Sequence, residues 1–303
     1  MQVIKDSYEY VFSKDSKPIA YAKDGETLQF NTLDCFGNQV TSEDFVITEL
    51  DMEKCNPATG PVYIEGAEPG DVLAVDILDV KTGPKGVMMT IKGYGPLWET
   101  CESRTKILKV EDGYIYFNDV KFEADPMIGV IGVAPKGKAI ASARAFPTGG
   151  NMDSRIITKG STVYLPVKTK GALLQMGDVH AAMGDGEVCE TGVEIDAEIT
   201  VRVRIIKDFE LNWPVTEKED FWFVNTVGKT SNDAIKRGYQ ELQRLIMNAY
   251  GWDATDACMF ISAQGRVEAN QAVLAHNDTE EAGDTFRVGI PKRSDKPGLI
   301  PQK

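Results

Sequence analysis

The chain has 303 residues and a formal net charge of −13, with 42% hydrophobic and 26% charged residues. This length buries a sizeable core, as one large domain or two closely packed lobes, and the composition is that of an ordinary globular protein. The acidity excludes a nucleic-acid partner, which needs a basic footprint, and no apolar stretch approaches the roughly 20 residues of a membrane span.

The N-terminus, Met1-Gln-Val-Ile-Lys-Asp-Ser, has no apolar core of the kind a secretory signal carries. Cysteines 35, 55, 101, 189 and 258 are scattered and contain no Cys-x-x-Cys pair. Free thiols in a reducing, cytoplasmic setting are therefore expected, and no membrane partner.

The first 210 residues read as β. After the turn at Asp24-Gly25-Glu26, Leu28, Phe30 and Thr32 alternate with Gln29, Asn31 and Leu33, and after Pro69-Gly70-Asp71, Leu73, Val75 and Ile77 alternate with Ala74, Asp76 and Leu78. Both are period-2 strands opened by a turn. Both also end in Leu-Asp, which hints at a repeated unit. Further strands are expected at Tyr114–Phe117, within the glycine-interrupted apolar run from Pro126 to Pro135, at Thr162–Val167 and at Ile199–Ile206. The last alternates apolar residues with Thr200, Arg202 and Arg204, as in a sheet with one wetted face.

A helix follows with Ser231 as its N-cap and Asp233 in its first turn. Ile235, Tyr239, Leu242, Ile246 and Ala249 form its apolar stripe, and Gly251 ends it. Met259–Ser262 reads as a strand and residues 265–274 as a second helix or a strand. Residues 277–303 read as a loop, an edge strand at Thr285–Ile290 and a tail. The fold class is mainly β, sandwich or barrel-like, with a smaller α/β C-terminal part. The division falls near residue 210, into 1–210 carrying most of the site and 211–303 packed on it, unless the whole is one domain.

Four segments carry residues able to do chemistry. In Gly177-Asp-Val-His-Ala-Ala-Met-Gly-Asp-Gly-Glu187, His180 is one of only two histidines and lies among Asp178, Asp185 and Glu187. Imidazole and carboxylates are the ligands of a catalytic divalent metal or the agents of acid–base work, and the glycines at 177, 184 and 186 let the backbone turn. A satisfied polar turn is the bland alternative. Gly149-Gly150-Asn151-Met152-Asp153 offers Asp153 as a metal ligand and Asn151 as an oxyanion donor, against an Asx-turn. Glu65, between an apolar strand and Gly66, is a general base or ligand. In Thr32-Leu33-Asp34-Cys35, Asp34 is preferred over Cys35, whose commoner fate is burial. No serine-hydrolase elbow, Walker loop or dinucleotide fingerprint occurs.

These segments, with Gly60-Pro-Val-Tyr-Ile-Glu-Gly-Ala-Glu-Pro-Gly-Asp, Pro126-Met-Ile-Gly-Val-Ile-Gly-Val-Ala-Pro and Tyr164-Leu-Pro-Val, occur in the order found in the acetamidase/formamidase family. The resemblance runs from about residue 10 to about residue 292. It implies hydrolysis of short aliphatic amides to carboxylate and ammonia, a β-rich fold, a homo-oligomer and a divalent metal, with zinc ahead of calcium or manganese. Carried over residue by residue, it supports His180, Asp185, Glu187, Asn151, Asp153, Glu65 and Asp34 as the site; their chemistry then suggests His180, Asp153 and Asp34 as metal ligands and Glu65, Glu187, Asn151 and Asp185 as catalytic residues. The chain departs from the family pattern at Thr148 and Ser16, where relatives tend to have histidine, and at Glu190, where glycine is usual. The competing readings are a hydrolase of another linear or cyclic C–N bond, a non-catalytic small-ligand binder, and a cysteine amidase using Cys35 or Cys189.

Overall fold

The protein is described here by a computed structural model covering residues 1–272 and 283–302. Among these residues two large sheets face each other. The first, of nine strands, runs in the order Gln2–Ile4, Thr27–Thr32, Ala197–Ile206, Val72–Thr82, Thr162–Pro166, Val215–Glu217, Phe221–Val227, Thr285–Pro291 and Arg266–Ala269. It passes residue 210 without a break. The second, of twelve, is built around Lys85–Thr90, Glu194–Ile195, Leu174–His180, Met127–Gly132 and Gly149–Asn151, with Ala58–Ile64 also paired to Leu174–His180.

The alternating strands fall where their pattern directs them. Thr27–Thr32 and Val72–Thr82 pair with opposite sides of Ala197–Ile206. Leu28, Phe30, Leu73, Val75, Ile77, Ile199, Val201 and Val203 turn inwards onto Val62, Ile128, Val179 and Ile195 of the second sheet, closing the main core. Glu198 and Arg202 stay on the wetted side. The alternation breaks at the far end, where Ile206 is buried with Ala74 and Tyr164 under the helices, in a second core on the other face of the nine-stranded sheet.

Asp76 lies on that other face with its side chain 10% exposed. It accepts hydrogen bonds from Thr162 Oγ1 (2.8 Å), Arg202 Nε (2.9 Å) and Arg204 Nη2 (2.7 Å). Burial alone would raise its pKa, but the bonds from Arg204, Thr162 and Arg202 outweigh it and hold the carboxyl below its ordinary value. A depressed folded pKa gives stability that is present above the unfolded value near 4 and lost as pH falls through the folded one. Asp76→Asn is expected to cost about 2 kcal/mol at pH 7. In urea titrations the gap from wild type should narrow as the pH drops below about 4; a gap independent of pH would refute the assignment.

The first helix, Ser231–Tyr250, is capped by Thr230 rather than Ser231: Thr230 Oγ1 accepts from Asp233 N at 3.2 Å. Ser231 is the first helical residue and its hydroxyl donates to Asp284 instead. Gly251, in the left-handed region at φ 68°, ends the helix. Leu242 and Ile246 are buried, while Ile235, Tyr239 and Ala249 pack beside them. Met259–Ser262 is not a strand but part of a second helix, Ala254–Gln264, whose cap Asp253 accepts from Asp256 N at 2.9 Å. Three apolar residues and a serine fit either element, and the aspartate cap at Asp253 is the signal that tells them apart.

Arg266–Ala269 is a strand, and residues 273–274 of that expected element lie outside the described residues, as do 277–282 of the expected loop. Thr285–Pro291 is not an edge strand. It lies between Phe221–Val227 and Arg266–Ala269, because the ambiguous segment before it became the edge. Among the described residues no helix is long and apolar enough to cross a membrane.

Candidate active site

Five buried titratable side chains converge where the second sheet meets the loops at its end. His180 closes the strand Leu174–His180 and pairs with Glu194 of the neighbouring strand. Asp178 lies two residues earlier, on the same face of the strand, with a left-handed backbone at φ 53°. Asp153 follows the strand Gly149–Asn151 at φ 44°, and Glu187 lies in the loop after His180 at φ 45°. Three non-glycine residues in this region at one point mark a strained site held by its surroundings.

His180 Nε2 is the hub. It lies 3.3 Å from Glu194 Oε2, 3.5 Å from Asp178 Oδ1, and 3.9 Å from both Asp153 Oδ1 and Glu187 Oε1. None of the five residues is more than 4% exposed. Two glycines make room for them. A Cβ on Gly129 would lie 2.5 Å from Asp153 Oδ1 and 2.7 Å from Asp178 Oδ2, and one on Gly192 would lie 2.3 Å from His180 Nδ1.

The electrostatics follow from crowding acids away from water. Burial and the charges of Glu187 and Asp178 hold Asp153 well above its ordinary pKa. Burial, then Asp178, Glu187 and Asp153, does the same to Glu194. For Glu187 the rise from burial is tempered by His180 and by a hydrogen bond from Gln271. Burial opposes protonation of His180, but Asp178 and Glu187 prevail and its pKa rises.

One imidazolium does not neutralise four carboxylates. Moreover Asp153 Oδ1, Asp178 Oδ1 and Glu194 Oε2 are buried without a hydrogen-bond donor. Unpartnered buried carboxylate oxygens are costly unless a proton or cation serves them. Asp153, His180 and Glu187 offer ligand atoms all within 4.8 Å of one another, and Cys35, Asp178 and Glu194 form a second such group beside them. Oxygen and imidazole nitrogen are the donor set of a divalent ion, so these residues fit a metal.

The residues expected from sequence divide. His180, Asp153 and Glu187 come together. Asn151 is buried two residues before Asp153, with its Oδ1 unpartnered. Asp34 is buried next to Cys35, but its Oδ1 accepts from Asn38 N at 2.7 Å in a local turn. Burial pushes its pKa to about 6, the Asn38 and Phe36 N–H groups oppose this, and Asp196 and Asp178 add to it. Asp185 faces outwards and pairs with the buried Arg287 at 2.7 Å. Glu65 is exposed in the turn after Ala58–Ile64 and lies outside both ligand groups.

Gly186, at φ 95°, turns as expected. Gly177 does not: it is in a strand, where its bare Cα admits Pro57 O. Thr148 is buried and its hydroxyl donates to Val133 O at 2.7 Å. The Cys35 thiol is held well above its ordinary pKa by burial and then by Glu194, Asp178 and Asp34, so it is kept protonated and a poor nucleophile.

Sequence reasoning left out Glu194 and Gln271. Glu194 is an inward-facing acid in a two-residue strand, too short to show alternation. Gln271 reaches Asp153 and Glu187 from 118 and 84 residues away. A cleft of about 560 Å³, lined by Met88, Phe117, Phe122, Met183, Val188 and Val193 among others, runs up to Glu187 and Gly192.

The profile of the acetamidase/formamidase family matches residues 9–145 and 136–267, well over half of the chain. The chain belongs to this family. It is 28% identical over 255 residues to the formamidase of Methylophilus methylotrophus, covering 64% of this chain and 63% of that one. To the acetamidase of Mycolicibacterium smegmatis it is 28% identical over 251 residues, covering 61% of each. The chain thus aligns with about three fifths of the length of these curated relatives. The crystal structure of an acetamidase from Bacillus halodurans superposes with a TM-score of 0.90 at 34% identity, over 96% of this chain and 97% of that one. The mainly β fold that the resemblance implied is this family's fold.

Proposed function

We propose that the protein hydrolyses short aliphatic amides, of the formamide and acetamide kind, to a carboxylate and ammonia with the help of a divalent cation. The observation that carries this reading is the buried group of His180 and unpartnered carboxylate oxygens in a chain of the acetamidase/formamidase family. Asp153, His180 and Glu187 would hold the ion, with zinc favoured by the imidazole, and the chemistry it would supply there is polarisation of the amide carbonyl and a water pKa lowered towards about 7.

The chain's own groups do the rest. Glu194, whose free Oε2 lies 3.3 Å from His180 Nε2, takes the proton of the attacking water and passes it to the departing nitrogen. Asn151 donates its amide to the oxyanion, a contact worth about 3 kcal/mol of barrier where it is made. The exposed Glu65, and Asp185 in its pair with Arg287, have no part in this scheme. The protein works as a cytoplasmic homo-oligomer.

Purified protein, stripped by chelator, is expected to release no ammonia from formamide or acetamide, and to regain turnover with zinc, manganese or calcium. The same addition should raise the melting temperature by several degrees, since ligand at 100 times its Kd adds about 2.7 kcal/mol. Folded protein that releases no ammonia with any ion refutes the amidase reading. The size of the cleft beside Glu187 favours one alternative, a larger C–N substrate, because pockets of about 300–1,000 Å³ hold drug-sized ligands. Turnover of aryl or cyclic amides but not acetamide would establish that alternative.

A further inference from the structure

We propose that Gln271 sets the cation preference of the site by committing one oxygen of Asp153 and one of Glu187. This rests on the metal reading above. Gln271 Nε2 donates to Asp153 Oδ2 at 2.9 Å and to Glu187 Oε2 at 2.6 Å. An amide nitrogen has two hydrogens, and each is spent on one carboxylate. The other oxygens, Asp153 Oδ1 and Glu187 Oε1, are the two that face His180 Nε2. Each acid is thereby divided, with one oxygen held by Gln271 and one free for an ion.

The clamp is itself anchored. Gln271 N donates to Thr285 Oγ1 at 2.9 Å, Thr285 N donates to Gln271 O at 2.8 Å, and Thr285 Oγ1 donates to Met152 O at 2.9 Å, next to Asp153. On the other side Gly186 N donates to Asn270 O at 2.8 Å and Ala272 N to Gly186 O at 3.1 Å, next to Glu187. The two acid-bearing loops are therefore fastened to residues 270–272, just after the strand Arg266–Ala269, and to Thr285 beside them. Each loop has an acid in the left-handed region, at φ 44° and 45°. Without the Gln271 donor, two like charges in strained loops lose the group that holds them together.

Division of the carboxylates bears on which ion fits. Calcium takes six to eight oxygens and favours bidentate carboxylates, whereas zinc is satisfied by about four ligands, each giving one atom. A glutamine that occupies the second oxygen of two acids withholds two oxygens from the ion, which penalises calcium, while it holds in place the single oxygen that each acid offers zinc. Gln271 acts through Asp153 and Glu187, as a positioning residue.

The test is competitive uptake of zinc and calcium by full-length wild type, Gln271→Met and Gln271→Ala, read by calorimetry and elemental analysis. Circular dichroism and melting of the metal-free proteins check the fold. Methionine keeps the side-chain length without the donor, and alanine removes both. Zinc affinity is expected to fall 10–100-fold, the usual effect of losing an outer hydrogen-bond partner. Calcium affinity should hold or rise, so that the zinc-to-calcium preference shrinks at least tenfold in both variants. A preference within threefold of wild type in both overturns the proposal, as does wild type that takes up neither ion. Selective zinc uptake by wild type without ammonia release, with preference lost in the variants, upholds the role of Gln271 and removes the amidase reading alone.

Discussion

His180→Ala is expected to lower ammonia release by at least about a thousandfold while the protein stays folded. His180 supplies the only nitrogen to either ligand group among the described residues, and four carboxylates face its Nε2 within 3.9 Å. Without it, the cation is left to acids that repel one another, so affinity falls together with turnover. The backbone at 180 pairs with Met127 and Glu194, and those ladder bonds need no side chain. Secondary structure should therefore survive, although taking the cation from a buried cluster of acids costs about 3–5 kcal/mol. Urea titration and ammonia release on the same preparation separate the two effects. Turnover within a few-fold of wild type would remove His180 from the mechanism.

Much of the fold was legible because period-2 alternation is a local property. Leu73, Val75 and Ile77 reveal both the strand and its inward face without knowledge of the partner. Met259–Ser262 is ambiguous because three apolar residues and a serine fit a helix as well as a strand, and the place of Thr285–Pro291 depends on its neighbour Arg266–Ala269, itself ambiguous. Position within a sheet depends on distant pairing, which a local pattern does not contain.

The same distinction governs the site. Glu65, Asp34, Asp153 and Glu187 are each an acid near a strand end or a glycine, and sequence makes them equivalent. Sheet pairing makes them differ: Asp153 and Glu187 are brought to His180, Asp34 is absorbed by Asn38, and Glu65 is left in solvent. Glycines were read as turn-makers, yet Gly129 and Gly192 serve by being small where side chains crowd. Gln271 carried no signal, since an uncharged amide in an unassigned segment has nothing to mark it.

Gly129→Ala tests whether that crowding is functional. Gly129 lies in the strand Met127–Gly132, between the residues that pair with Val179 and Gly177, and its φ is not in the left-handed region. The backbone therefore tolerates alanine, and only the added methyl matters. It would lie 2.5 Å from Asp153 Oδ1, 2.7 Å from Asp178 Oδ2 and 2.8 Å from Asp178 O, all well inside contact distance. Two of these are carboxylate oxygens of acids that face His180 Nε2, and neither acid has a relaxed backbone from which to swing away. Overpacking of this kind costs about 1–3 kcal/mol, which a domain of this size survives. The site has less latitude, because displacing a ligand by about 1 Å forfeits about a hundredfold in rate. Gly129→Ala is thus expected to remain folded, bind cation at least tenfold more weakly and lose about two orders of magnitude in turnover. Gly137→Ala, where an added Cβ meets nothing within 4 Å, is the matched control and should behave as wild type. If Gly129→Ala kept both cation affinity and turnover, the packing of Asp153 and Asp178 over that glycine would be incidental, and the catalytic centre would have to lie elsewhere in the fold.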